Sequence, residues 1–116
     1  MRKSKISGAA FAAILGSMSA AQAAGDDGYV MGAGRWTCDD VVRIAETGTG
    51  IEKGQLVGWL LGYWSAATFN RETGFVDTVE SAGGEGIYNA TVAQCRKANA
   101  GVPLYRVTRE MIHNTK

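Results

Sequence analysis

Gln55-Leu56-Val57-Gly58-Trp59-Leu60-Leu61-Gly62-Tyr63-Trp64-Ser65-Ala66-Ala67-Thr68-Phe69 is the most apolar helix candidate in the foldable part of the chain, and no charge interrupts it. With flanking residues it predicts a central helix over about Ile51 to Asn70. Gly54, Gly58, Gly62 and Ala66 recur every four residues and so form a smooth stripe on one face, while Leu56, Trp59 and Tyr63 crowd another. Such a stripe permits close packing of a second backbone, from another helix of the domain or from a copy of the chain in a dimer. Glycine in a helix interior costs about 1 kcal/mol relative to alanine, so tertiary contacts must hold this helix together.

Working outward, two cysteines flank nearly everything foldable: Cys38 and Cys95. Upstream, Arg2, Lys3 and Lys5 precede an apolar stretch from Ile6 to Met18 and the small-residue site Ala21-Gln22-Ala23. That order is a secretory signal peptide, residues 1–23, and its apolar part is too short for a permanent membrane span. Cleavage after Ala23 would leave 93 of the 116 residues in an oxidising compartment, with the periplasm as the expected location. Two thiols in an exported chain are best spent on one disulfide. Closing the 57-residue separation contributes up to about 4 kcal/mol in the loop-entropy account. A domain this small needs that staple.

Loss of the leader leaves nine Lys/Arg against eleven Asp/Glu, a net of −2. No basic surface for nucleic acid is suggested. In strong acid the carboxylates neutralise and the nine cations plus His113 remain, about +10 before the termini. Protonation then turns a nearly balanced chain into a self-repelling one.

Residues 24–35, rich in glycine and aperiodic, read as a flexible arm. Structure is expected to begin at Trp36-Thr37-Cys38-Asp39-Asp40, with Thr37 as a helix cap and both aspartates in the first turn. This helix runs to about Ala45, and Thr47-Gly48-Thr49-Gly50 breaks it. Residues 71–86 read as a long surface connection. A third helix over Ile87 to Ala98 would turn Ile87, Ala90 and Val92 inward and bring Cys95 to the first helix. After Pro103 a fourth, amphipathic helix carries Leu104, Val107, Met111 and Ile112. The fold class is all-α: a single-domain bundle of about four helices over residues 36–116, stapled by one disulfide.

Trp36-Thr37-Cys38-Asp39-Asp40, the Val57-Gly58-Trp59 region, the helix Ile87-Tyr88-Asn89-Ala90-Thr91-Val92-Ala93-Gln94-Cys95 and the charged C-terminal helix resemble the periplasmic HdeA/HdeB acid-stress chaperones. The resemblance implies a folded, inactive homodimer at neutral pH. In strong acid it dissociates and partly unfolds, exposing apolar surface that holds acid-denatured periplasmic proteins. The candidate client-binding or dimer residues are then Leu56, Val57, Trp59, Leu60, Leu61, Tyr63 and Trp64, and the pH-sensing candidates are Asp39, Asp40 and Glu46. The rival class is a constitutively folded inhibitor or immunity-type module with Trp59, Tyr63, Trp64 or the Tyr88 and Tyr105 pair as its hot spot. An enzyme is disfavoured, because one histidine and no placed Ser/His/Asp set or metal cluster proposes no chemistry, and no cofactor is implied.

Overall fold

The computed structural model describes residues 28–116. Among these residues there are four helices: α1 (Cys38–Thr47), α2 (Gly50–Thr68), α3 (Thr73–Lys97) and α4 (Leu104–Asn114), preceded by a short 3-10 turn, Gly32–Arg35. Cys38 and Cys95 are joined in a disulfide that ties the first turn of α1 to the last turn of α3. The signal peptide, residues 1–23, lies outside the described residues.

Local chemistry starts the first two helices. Thr37 Oγ1 accepts from the Asp40 backbone N–H at 3.2 Å, and the Asp40 carboxylate accepts from the Thr37 N–H at 3.0 Å. Thr49 and Glu52 repeat this reciprocal cap on α2 at 3.1 Å each way. The expected breaker at 47–50 is therefore a tight turn between two helices, with Gly48 ending α1 and Thr49 capping α2.

The core collects one stripe from each helix: Val41 and Ile44 of α1, Leu56, Leu60 and Trp64 of α2, Phe75, Ile87, Val92 and Cys95 of α3, and Leu104 and Val107 of α4. Fully buried side chains of this size contribute about 1.5–3 kcal/mol each. Thr91 and Thr108 are also fully buried, their hydroxyls donating to the backbone carbonyls of Ile87 and Leu104. On α3 the inward set is thus Ile87, Thr91, Val92 and Cys95, and Ala90 faces solvent, contrary to expectation. Helical spacing places position 91, four residues on, on the face of Ile87.

Two segments correct the sequence reading. Residues 73–86, expected as a surface connection, are helical, because Phe75 is fully buried and Val79 packs on the same core one turn later. The glycines that suggest a loop mark a kink instead: Gly83 stands at φ 66°, ψ 177° within α3, a region essentially closed to residues with a Cβ. The expected flexible arm is also ordered over its described part. Ala33 and Gly34 are buried, and a Cβ on Gly34 would overlap the Trp59 ring. Only glycine lets that indole lie against the turn. Backbone bonds from Cys38 N–H to Val102 (2.8 Å), Asp39 N–H to Ala100 (3.0 Å) and Leu104 N–H to Trp36 (2.7 Å) then lace the start of α1 to the loop before α4.

Candidate functional site

The seven apolar candidates of α2 do not form one surface. Leu56, Leu60 and Trp64, spaced by four, are buried against the core. Val57, Tyr63 and Trp59 lie outside that buried stripe, with Trp59 packed on the core's edge, and Leu61 is 39% exposed, leaning on Gly84 of α3. Trp59 and Tyr63 pack together with ring centroids 4.9 Å apart. The stripe of Gly54, Gly58, Gly62 and Ala66 lies on the outer side of α2, and a Cβ on any of its three glycines would meet nothing within 4 Å. The expected close approach of another helix of the domain to this stripe is therefore absent among the described residues. It occurs at Gly84 instead, where a Cβ would stand 3.1 Å from Leu61. Toward the ends of α2 stand Ile51 and Phe69, both about three-quarters exposed (76% and 75%).

Trp64 is the centre of the most structured part of the site. Its ring stacks on Phe75 of α3 at 6.3 Å with 9° between planes. Arg71, in the loop that joins α2 and α3, places its guanidinium 3.6 Å from the Phe75 ring centre. The same guanidinium donates to both carboxylate oxygens of Glu72, at 2.9 and 3.4 Å. These bonds from Arg71, with lesser help from the backbone N–H of Glu72 itself, hold the Glu72 carboxyl below the usual carboxylate range. A cation–π contact of this kind adds about 0.5–2 kcal/mol, depending on how far the cation is desolvated. The buried Trp64 Nε1–H has no partner among the described residues, and an unmet donor costs about 1–3 kcal/mol relative to a satisfied one.

The three acidic candidates are placed differently. Asp39 is exposed in the first turn of α1, and Asp40 is spent on the Thr37 cap. Glu46 meets Arg96 at 2.8 Å and so links α1 to α3. Arg43 extends toward Glu52 at 3.7 Å, linking α1 to α2. Sequence reasoning misses the Arg71, Glu72 and Phe75 group because it assigns that stretch to a loop. A signal is present all the same: Phe75 and Val79 stand one helical turn apart, with Arg71 four residues before Phe75.

Among the described residues no three His, Cys, Asp or Glu side chains converge on a metal-sized site, and no helix is long and apolar enough to cross a membrane. Both cysteines are consumed by the disulfide. What the arrangement offers is apolar and aromatic area at the edges of α2. The class defined by fold and site is a small all-α domain closed by one disulfide around a tryptophan-bearing central helix. No protein-family model, no curated protein and no solved structure matches the chain.

Proposed function

We propose that the protein is an acid-activated periplasmic chaperone that is closed near neutrality and opens at low pH to hold acid-denatured proteins. The observation that carries this reading is the burial of Leu56, Leu60 and Trp64 in a small core whose surface is crossed by carboxylate–arginine pairs. Glu46 pairs with Arg96, Glu52 with Arg43 and Glu72 with Arg71, and the Asp40 and Glu52 side chains complete the two helix caps. Exposed ion pairs of this kind contribute little singly. The driving force for opening is then the self-repulsion of a chain near +10, which disfavours the compact state as a whole. Cys38–Cys95 survives acid and keeps α1 on α3, so the opened chain stays connected and able to close again.

The residues released would be the aromatic and aliphatic set of α2, above all Trp59 and Trp64, which offer large apolar area to an unfolded client. The resemblance of the Trp36 to Asp40 opening and the two-cysteine frame to the HdeA/HdeB chaperones supports the same reading. The test is tryptophan fluorescence and light scattering of the oxidised protein from pH 7 to pH 2, with an acid-labile client in half the samples. Reversible opening with client aggregation suppressed only at low pH is the expected result. A chain that stays closed at pH 2, or opens without protecting the client, overturns the proposal and favours a constitutively folded interaction module.

A further inference from the structure

Three arginines stand apart from the carboxylate clasps. Arg43, Arg71 and Arg96 are paired with acids, whereas Arg35, Arg106 and Arg109 have no carboxylate within 4.0 Å among the described residues. They line two adjoining depressions between α4, the N-terminal turn and α2. One part, about 820 Å³, is bordered by Tyr63, Arg106 and Arg109, and the adjoining part, about 540 Å³, by Tyr29, Arg35, Tyr63, Tyr105 and Arg109. Tyr63 and Arg109 belong to both, so they sit at the junction. Glu110 is the acid on its rim.

The side chains are prepared rather than scattered. The Arg35 guanidinium donates to the Tyr29 hydroxyl at 3.2 Å and lies 5.8 Å from that ring, which orients it without neutralising it. Tyr63 is held against Trp59, and Trp59 against the turn that carries Arg35. Arg106, Arg109 and His113 fall on one side of α4, since residues three and four apart share a helix face. Tyrosine and arginine are among the residue types that dominate protein-binding hot spots, and an open groove suits an extended chain better than a small molecule, which favours enclosure.

We infer that this groove is a docking site, present in the closed molecule, for an acidic segment of a partner protein. Its carboxylates would pair with Arg106 and Arg109, and with Arg35 at the far end, while its backbone and apolar groups lie on Tyr63 and Tyr105. The distance along α4 from Arg106 to His113 is about 10 Å, the length of about three extended residues. Arg106 and Arg109 stand about 4.5 Å apart along the axis, so an acidic segment with charges at alternate positions, about 7 Å apart, meets both through the reach of their long side chains. Docking of this kind belongs to the folded protein and does not depend on opening in acid.

The experiment is fluorescence anisotropy at pH 7 with the oxidised protein and a labelled octapeptide of alternating glutamate and leucine. Its glutamine counterpart and a sulfated heparin-type oligosaccharide form the other arms. The glutamate peptide is expected to bind and the glutamine peptide not, with affinity for the former lowered about tenfold or more by Arg109→Gln and several-fold by Arg106→Gln or Arg35→Gln. Lys53→Gln on exposed α2 removes the same charge elsewhere and should leave affinity within about twofold. Amide shift mapping on the unsubstituted protein, which needs no variant to fold, should move signals at Tyr29, Tyr63 and 105–113. Absence of binding, equal loss from Lys53→Gln, or binding of the sulfated oligosaccharide in place of the peptide overturns the inference. So does an increase in affinity when Asp26 and Asp27 are replaced by Asn, which would make the occupant the chain's own acidic segment.

Discussion

At one end of the molecule α1 is held to α3 by Cys38–Cys95, by Glu46 on Arg96 and by backbone bonds to the loop before α4; at the other, α2 and α3 meet through Trp64 on Phe75 beside Arg71. The first end is covalent and richly hydrogen-bonded. The second is a stack of rings around an unsatisfied indole N–H, continued by a helix already broken at Gly83. Stability is not uniform across a fold, and segments that move in function are drawn from its less stable parts. The difference predicts that the α2–α3 hairpin opens more readily than the disulfide end. Native-state hydrogen exchange should accordingly give lower opening free energies for amides of 64–80 than for those of 38–44 and 90–96.

The strongest way to break this asymmetry is Phe75→Ala. Phe75 has no exposed surface, and it supports both the Trp64 ring and the Arg71 cation. Removing a buried phenylalanine costs about 3–5 kcal/mol. The expected result is an unfolding free energy lowered by that amount at pH 7 together with Trp64 emission that is red-shifted before the main transition. A loss spread evenly over both ends, with hydrogen exchange accelerated equally at 38–44, would contradict the separate opening of the hairpin.

How much of this is legible in the sequence follows from which forces act locally. The Thr37 cap, the central helix, the disulfide and the inward residues Leu104 and Val107 are all fixed by neighbours in sequence or by the redox logic of two lone thiols. The helix over 73–86 is not legible, because its glycines weigh against helix and only the burial of Phe75, a tertiary event, outweighs them. The N-terminal turn escapes for the same reason: a glycine-rich segment looks aperiodic until Trp59 supplies the surface on which Gly34 rests. The second cap, Thr49 with Glu52, is readable as a Thr-x-x-Glu motif, but the adjacent glycines mask it as a mere breaker. Of the candidate site, the residues of α2 are recognisable but their division among three surroundings is not, since Trp64 takes its place from Phe75, Tyr63 faces the arginine groove, and the glycine stripe faces outward.

A smaller effect separates the two kinds of glycine. Gly83→Ala forces a Cβ into a backbone conformation that costs about 1–3 kcal/mol, so it should destabilise the protein by that amount or straighten α3 and expose Phe75. Gly58→Ala adds a methyl that meets nothing within 4 Å on a regular helix, and should stabilise by up to about 1 kcal/mol. Chemical denaturation of both variants at pH 7 checks the pair of signs. If Gly58→Ala destabilises instead, the stripe is covered in solution, and sedimentation of the unsubstituted protein would then show a second copy.

The finest probe of the comparison is Glu72, because it tests whether the weaker end is also the acid-sensitive one. Its carboxyl is held below the ordinary glutamate value of 4.5, first by the hydrogen bond from Arg71. A carboxylate whose pKa is lower folded than unfolded contributes stability above the ordinary value, and that contribution is lost as pH falls through the lowered folded value. Glu72 is fully exposed, so solvent screens the pair and the effect is smaller than that of either glycine substitution. Glu72→Gln should therefore be slightly less stable than the unsubstituted protein at pH 7 and indistinguishable from it at pH 2, with the two curves converging as pH falls below 4.5. The local readout is sharper than the global one: the Arg71 Nε–H resonance, protected at pH 7 by its charge-assisted bond to Glu72, should be less protected in the variant at every pH and in the unsubstituted protein only in acid. Were the Arg71 resonance to behave identically in both proteins across the range, the clasp over Phe75 would owe nothing to Glu72, and the proposed acid opening would lose its local trigger at the α2–α3 end.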